Sequence, residues 1–259
     1  MMKSSPYSIR STKTFVIVIF AIAVFFWAFS AIEFTPQKVI EGIPPLFEFL
    51  YNLYPPDVTV APTLLESAVE TIQMVLVGTL LGTILALPIA AMASSNIAPR
   101  PLVAVARTYL MVIRTIPSLV WALVFVIVVG LGPFAGVLAL TFYTLGYLGK
   151  LYYEAIESID MDSVEGVVTV GANGTQIFSH AILPQVLPHL VNNFFFMIEY
   201  NIRHAAILGF VGAGGIGFYI FLYLQSFSFD KVAMALLVLL GLVIGFDRLS
   251  LEVRKKLIQ

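Results

Sequence analysis

The sequence predicts an all-α integral membrane protein with six transmembrane helices. Apolar residues make up 59% of its 259 residues, and charged residues make up only 11%. A soluble domain carries about 25% charged residues, so the polar surface that water would require is missing. Long stretches without any charge also recur along the chain, and about 20 apolar residues suffice for one helix to cross the bilayer. Together these features exclude a water-soluble globular protein.

The rest of the composition excludes several kinds of site. The formal net charge of −1 provides no basic field for nucleic acid. Because the chain has no cysteine, it has no disulfide, thiol nucleophile or thiolate metal site. The three histidines (His180, His189 and His204) lack the spacing of metal ligands. We therefore expect neither a metal nor another cofactor.

The first predicted span runs from Phe15 to Ile32 and follows a basic N-terminal segment. Small residues at Ala28 and Ser30 would also allow cleavage as a signal peptide, so a cleaved signal and an uncleaved anchor both stay open. The proline-rich segment that follows is predicted to form either a short amphipathic helix on the outer surface or an irregular loop. We expect residues 1–65 to form an N-terminal anchor helix and an external amphipathic segment.

Three further spans are predicted in the middle of the chain. The second covers about residues 71–94. Residues 115–149 then contain no charge at all, which is too long for one crossing, and Gly130-Leu-Gly-Pro133 is a turn signal. We therefore predict two helices joined by a tight hairpin, the first of which begins near Val103 and contains Arg114.

The last two predicted spans enclose a glycine-rich segment. The fifth covers about residues 187–208 and the sixth about residues 232–249, with the apolar, glycine-rich residues 209–225 between them. We expect residues 66–250 to form the transmembrane domain and residues 251–259 a basic cytoplasmic tail.

The distribution of Lys and Arg predicts the orientation, because short cytoplasmic loops carry an excess of them. With the N-terminus inside, ten fall on the cytoplasmic side and two outside, while two more lie within spans. Both termini are therefore expected in the cytoplasm. The ten are Lys3, Arg10, Lys13, Arg100, Arg107, Lys150, Arg248, Arg254, Lys255 and Lys256; the two are Lys38 and Lys231.

The longest polar segment on the predicted cytoplasmic side is residues 150–183. Gly171 can end a helix in the left-handed conformation. Asn173, with Gln176 three residues later, has the pattern of a capping box that begins another helix. Pro184 restricts the residue before it and is expected to open the fifth span. We predict two short helices with a sharp bend at Gly171.

A run of glycines follows the fifth span. The segment Gly212-Ala-Gly-Gly-Ile-Gly217 matches the spacing of the dinucleotide fingerprint, but that fingerprint requires a βαβ unit, which a membrane span does not provide. We instead expect Gly212, Gly214, Gly215 and Gly217 to serve close helix packing or a gate. The chain also lacks a phosphate-binding loop of the Gly-x4-Gly-Lys-Ser/Thr type, so we do not expect it to hydrolyse ATP by that route.

The polar segment contains a recognisable motif. The spacing Glu165-Gly-Val-x3-Gly171-x9-Ala181-x-Leu183-Pro184 resembles the EAA loop of ABC importer permeases, although the family's two alanines and its isoleucine are replaced here. In that family the loop is the coupling helix, which docks in a cleft of a cytosolic ATPase. The resemblance implies that the coupling surface comprises Glu165, Gly166, Gly171, Ala172, Leu183 and Pro184.

Other segments resemble the phosphonate-transporter branch of these permeases over about residues 55–250. They include Arg114-Thr-Ile-Pro-Ser-Leu-Val-Trp121-Ala, Asn201-Ile-Arg203 and the glycine-rich run. The resemblance implies the type I ABC importer transmembrane fold and import of phosphonate, phosphite or phosphate. It also implies cytosolic ABC ATPase subunits, an external substrate-binding protein and a second permease subunit, expected as a homodimer within membrane lipid.

Three charges well inside the predicted spans are candidate site residues: Arg114, Glu199 and Arg203. A charged side chain there is costly and usually faces a cavity or a partner. Glu199 and Arg203 are four residues apart, so a structural ion pair is one interpretation. The other is an anion path, because a guanidinium presents a planar pair of donors to phosphonate oxygens.

Two other classes of function stay open at this stage. An ion-gradient-driven transporter of a small anion would be expected to show internal inverted repeats, and none is convincing here. An intramembrane enzyme would require a nucleophile and base within the spans, for which Glu199 with His204 is the nearest candidate.

Overall fold

The structure is a computed structural model that describes residues 12–32 and 34–258, and within these ranges every regular element is a helix. The chain divides into two compact units between Asn52 and Leu53. The first unit contains α1 (Thr12–Ala31) and α2 (Pro36–Asn52), and α2 includes Pro44 and Pro45. A helix thus forms in the segment for which the sequence left a helix and a loop open.

The second unit contains the remaining helices. Short 3-10 turns at Val58–Val60 and Gly209–Val211 precede α3 and α10, respectively. The helices are α3 (Ala61–Ala93), α4 (Arg100–Thr115), α5 (Ser118–Val129), α6 (Pro133–Glu157), α7 (Met161–Thr169), α8 (Gly174–Ile177), α9 (Leu183–Leu208), α10 (Gly215–Gln225) and α11 (Phe229–Ile258).

Five of the described helical segments are long and apolar enough to cross a membrane, and the pair α4 and α5 makes a sixth if it counts as one crossing. The five contain α1, α3, α6, α9 and α11. The predicted all-α membrane fold is therefore confirmed, with the third crossing built differently from the others.

The third crossing is not the single helix that the sequence predicts from Val103. It is broken into α4 and α5, which meet at 85°. Ile116 (φ −84°, ψ 118°) and Pro117 (φ −59°, ψ 149°) are both extended. Proline disfavours the helical region for the residue before it and cannot donate to the preceding turn, so two residues leave the helix together.

The predicted hairpin after this crossing is confirmed. α5 ends at Val129 and α6 begins at Pro133. Gly130 and Gly132 have φ values of 92° and 124°, which residues with a Cβ rarely adopt. The connection is therefore as short as the sequence indicates.

The core of the second unit is built around α3 and α6, which pack along each other. Gly78 and Gly82 of α3 face α6; a Cβ on Gly82 would lie 2.6 Å from Cβ of Thr144. Such small residues four apart let two helices approach closely in a membrane. α9 packs against both helices and completes the core with Met197 and Ile202.

Several helices extend beyond the apolar stretches that predicted them. α3 begins at Ala61, so the predicted domain boundary after residue 65 lies inside a continuous helix. α11 continues to Ile258, through the residues predicted as a basic tail. Hydropathy locates the segment inside the bilayer, whereas backbone hydrogen bonding lets the helix continue into polar surroundings.

Candidate functional site

The predicted bend in the polar loop is present. Gly171 has φ 82° and follows α7, and the next helix begins with the predicted capping box. The Gln176 backbone N–H donates to the Asn173 side chain at 3.0 Å, and the Asn173 N–H donates to the Gln176 side chain at 2.9 Å. The two short helices predicted here are α7 and α8, which confirms the local geometry of the segment.

The polar loop is shorter at both ends than predicted. α6 continues to Glu157, and α8 leads through a wide π turn (Phe178–Ile182) directly into α9. Pro184 therefore lies in the first turn of α9 but inside an uninterrupted helical run. Because proline has no N–H to donate, a locally widened turn before it keeps the chain helical.

The surface of this loop is unusually apolar for a polar segment. Glu165 and Gly166 are exposed, whereas Val164 beneath them is buried. Met161 and Val170 are 42% and 82% exposed. A groove of about 470 Å³ lies beside them, lined by Val167, Val170, Gly171, Ala172, Gln176 and His180.

The start of α7 depends on an ionised carboxylate. The pKa of Asp160 lies below its usual range, because the Ser163 hydroxyl (2.6 Å) and the Asp162 backbone N–H (3.1 Å) donate to it. A lowered pKa stabilises the folded loop above the ordinary Asp range, and this stabilisation is lost as pH falls through the lowered pKa.

We therefore expect Ser163→Ala to loosen α7 at pH 7 and to reduce the loss of protection on acidification. Hydrogen exchange of the α7 amides, corrected for the intrinsic effect of pH, measures both. Ser158→Ala is a suitable control, because its hydroxyl donates to the carbonyl of Ala155 instead. Equal α7 exchange in Ser163→Ala and the unaltered chain would contradict the capping role.

The break between α4 and α5 places a polar cluster inside the helix bundle. The Ser118 hydroxyl at the start of α5 lies 2.8 Å from Nδ1 of His204 on α9, and the Tyr143 hydroxyl lies 3.3 Å from its Nε2. Ser118 is buried and His204 is half-buried. The cluster joins the start of α5, which follows Arg114, to the part of α9 that follows Arg203.

Glu199 does not take part in this cluster. Its carboxylate accepts from Arg203 one turn later, and its second oxygen lies 3.5 Å from Nη2 of Arg254 on α11. The Glu199 and His204 pair considered for an intramembrane enzyme thus has each member bound to other groups. Among the residues the structure describes, no group of three or more His, Asp or Glu side chains could hold a metal ion.

Arg114 lies in the last turn of α4 and is exposed. No hydrogen bond or ion pair holds its side chain within the described part of the chain. It lines a cavity of about 220 Å³ between α4 and α6 together with Arg107 and Lys150. Arg114 and Arg203, which the sequence groups together, therefore have different surroundings.

The glycine-rich run connects three parts of the fold. The Gly215 N–H donates to the Glu70 carboxylate at 2.8 Å, and the Ile216 N–H donates to the Thr71 hydroxyl at 2.9 Å. These two residues of α3 thus cap the first turn of α10, where donors are otherwise unpaired. Gly212 and Gly214 have φ 82° and Gly215 has φ 69°, while Gly217 lies against the backbone of Ala206.

Asn201 is an important residue whose role the sequence does not reveal. It is fully buried, and its amide donates to the hydroxyls of Thr79 on α3 and Thr144 on α6, each at 2.8 Å. Three core helices are thereby joined by one side chain. The only sequence signal for Asn201 was its place in the Asn201-Ile-Arg203 segment. Its partners could not be identified from the sequence, because they lie 57 and 122 residues away.

Asn201→Ala is expected to destabilise the folded protein by about 1–2 kcal/mol, since two interhelical hydrogen bonds are lost. The midpoint of thermal unfolding in detergent measures this change. Asn193→Ala provides the control, because Asn193 is half-buried on the same helix and makes no side-chain hydrogen bond with the described residues. Equal midpoints for the two variants would contradict the structural role of Asn201.

The chain is similar to known transport proteins. The model of a family described as "Binding-protein-dependent transport system inner membrane component" matches residues 78–258. The phosphite transport system permease protein PtxC of Stutzerimonas stutzeri is 37% identical over 218 residues, which are 84% of this chain and 79% of the relative.

A longer relative and a solved structure are also similar to this chain. The phosphate-import permease protein PhnE of Mycolicibacterium smegmatis is 34% identical over 233 residues, 89% of this chain but 44% of that protein. A chain of the inward-facing MetNI methionine ABC transporter superposes with a TM-score of 0.70 at 22% identity, over 77% of this chain and 98% of that one. That likeness establishes the fold.

Proposed function

The chain belongs to the family of binding-protein-dependent transport system inner membrane components, and from this premise we propose that it forms the membrane path of an ATP-driven importer. It is a multi-pass inner-membrane permease subunit. Its cargo is phosphonate or a related phosphorus oxyanion, phosphite or phosphate. The observation that carries this proposal is the 34–37% identity to phosphite and phosphate permeases over more than four-fifths of the chain.

The permease is proposed to work with partner subunits that hydrolyse ATP and deliver the substrate. An importer of this family requires ATPase subunits and an external binding protein, and we propose that ATP is hydrolysed in the ATPase and not in this chain. The second permease subunit is proposed to be another copy of the same chain. The Lys and Arg distribution supports a topology with both termini in the cytoplasm.

The coupling surface is proposed to be the bent loop of α7 and α8. Glu165, Gly166, Gly171 and Ala172 lie there, and Leu183 and Pro184 begin α9 behind it. The exposed Val170 and the adjacent groove support this assignment, because large apolar side chains exposed on a polar loop favour a protein partner.

The path for the anion is proposed to involve Arg114, Glu199 and Arg203. The Glu199 carboxylate contacts both Arg203 and Arg254, so these three side chains together carry one excess positive charge. This arrangement supports a structural ion pair between Glu199 and Arg203, and the excess positive charge would still attract an anion. The glycine run is proposed to serve as a gate or to pack α10 closely onto α9, and the contact of Gly217 with the Ala206 backbone supports close packing.

Uptake measurements test the proposal against the gradient-driven alternative. Cells that lack their own importers are supplied with this chain and its partner subunits, and uptake of radiolabelled phosphite is followed. We expect uptake to stop on ATP depletion and to persist when an ionophore collapses the ion gradients while ATP is maintained. The reverse pattern would contradict the proposal and favour a secondary transporter.

A further inference from the structure

The cavity between α4 and α6 contains an excess of positive charge. It is lined by Arg107, Thr108 and Arg114 of α4 and by Lys150 and Tyr153 of α6. Its volume of about 220 Å³ is sufficient for a small tetrahedral oxyanion with a few waters, since water occupies about 30 Å³ per molecule in the liquid.

Two of the three cations already have a carboxylate beside them. Arg107 binds Glu157 and lies over the Tyr153 ring at 4.7 Å, and Lys150 lies 3.2 Å from Glu154. Arg114 has no such partner within the described residues, so the cavity carries one uncompensated positive charge. A bound anion would neutralise it.

The depth of Arg114 in the bilayer favours an anion in transit over a lipid headgroup as the ligand of this cavity. A Cβ on Gly146 would lie 3.2 Å from the Arg114 backbone nitrogen, and Gly146 is close to the middle of the 25-residue α6. From Gly146 to Glu157 the helix rises about 16 Å, at about 1.5 Å per residue. Half of the hydrocarbon core is about 15 Å, so Arg114 begins near the middle of the bilayer.

The spacing of the donors is suited to a tetrahedral anion that moves along the helix axis. Arg114 and Arg107 are seven residues apart on α4, about two turns, and therefore lie on one face. Thr108 also lines the cavity, and its hydroxyl, which donates to the carbonyl of Ala104 at 2.8 Å, can rotate to donate to an anion. Lys150 contributes from the opposite wall.

We propose that this cavity is a transient binding site for the phosphorus oxyanion, in which Arg114 binds two oxygens and Lys150 and Thr108 bind the others. The identity of the ligand as cargo rests on the proposed function. The site lies in the half of the bundle whose end carries the α7–α8 loop, where the cargo would pass before release. The guanidinium fork provides the bidentate geometry, and the paired carboxylates keep the binding weak enough for release.

The absence of cysteine from the chain permits a direct test. The M111C variant, whose altered residue lines the cavity but is not a proposed ligand, is purified with its ATPase partner, placed in phosphatidylcholine nanodiscs and treated with an anionic methanethiosulfonate reagent. Methylphosphonate should slow modification about threefold at roughly twice its dissociation constant, because only unoccupied sites react. Chloride at equal ionic strength should not slow it.

Matched variants assign the effect to this cavity. Arg114→Gln in the M111C background should abolish the protection, whereas Arg100→Gln, which removes a charge at the start of the same helix outside the cavity, should leave it. T175C on the exposed α8 should react equally with and without methylphosphonate. If M111C does not fold, T108C reports on the same cavity with one proposed oxygen ligand removed.

The possible outcomes distinguish a failure of the proposed binding site from a failure of the proposed function. An M111C transporter that imports phosphite but shows no protection overturns this inference and leaves the proposed function intact. Failure of the unaltered transporter to import phosphite, phosphate and methylphosphonate refutes the proposed function itself. If modification is slowed only when the nanodisc contains phosphatidylglycerol, and methylphosphonate has no effect, the ligand is a lipid phosphate. This result also overturns the assignment to cargo.

Discussion

Gly217→Ala is expected to leave little folded transporter. A Cβ at this position would lie 1.9 Å from the Ala206 carbonyl oxygen and 2.7 Å from its carbonyl carbon. These are backbone atoms of α9, so no side-chain rotation can relieve the overlap. Overpacking a core costs about 1–3 kcal/mol and occasionally more, and we expect the upper end because two helices must separate.

The midpoint of thermal unfolding in detergent, together with the yield of monodisperse protein, measures this effect. Gly241→Ala is the matched control, since a Cβ at Gly241 in α11 would meet nothing within 4 Å. That control should unfold at or slightly above the midpoint of the unaltered chain, because alanine favours helix. A normal midpoint for Gly217→Ala would show that α9 and α10 are not in close contact.

Arg114→Ala should abolish most uptake without disturbing assembly. It removes the cation of the α4–α6 cavity that has no carboxylate beside it among the described residues. A hydrogen bond to a charged group contributes about 1.5–3 kcal/mol, so the initial rate of phosphite uptake should fall at least about tenfold. Arg114→Lys should retain part of the rate, because it keeps the charge but loses the planar donor pair.

Arg100→Ala is the control for Arg114, since it removes the same charge from the start of the same helix. It should support normal uptake, and both variants should co-purify with the ATPase at the level of the unaltered chain. Normal uptake by Arg114→Ala would exclude a direct role for this arginine in the anion path. Loss of the ATPase from Arg114→Ala would instead indicate a structural role.

The features that the sequence predicts correctly depend on neighbouring residues. The capping box of Asn173 and Gln176, the left-handed Gly171 and the Gly130–Pro133 hairpin each require only a few adjacent side chains. The apolar stretches likewise place the spans, because bilayer thickness fixes the length of a crossing.

The features that the sequence does not predict depend on distant residues or on competing local preferences. Asn201 and His204 find their partners on other helices, and no local pattern specifies those contacts. At Pro117 the single helix predicted from Val103 is broken, because proline disfavours the helical region for Ile116, and α5 packs against α6 beyond the break. The ends of α6 and α11 were missed because hydropathy does not report where a helix stops.

Co-purification tests whether the α7–α8 loop couples this permease to an ATPase. The tagged chain is isolated gently from its native membranes, alongside Glu165→Ala and Val170→Asp variants and a Gln225→Ala control at the exposed end of α10. Partners are identified and quantified by mass spectrometry.

We expect a P-loop ATPase to be recovered in stoichiometric amount with the unaltered chain and the control, and in clearly reduced amount with both loop variants. The loop variants should unfold at the normal temperature, because Glu165 and Val170 are exposed. Equal recovery of the ATPase with all four proteins would contradict the assignment of the coupling surface, and recovery of no ATPase with the folded, unaltered chain would contradict the importer itself.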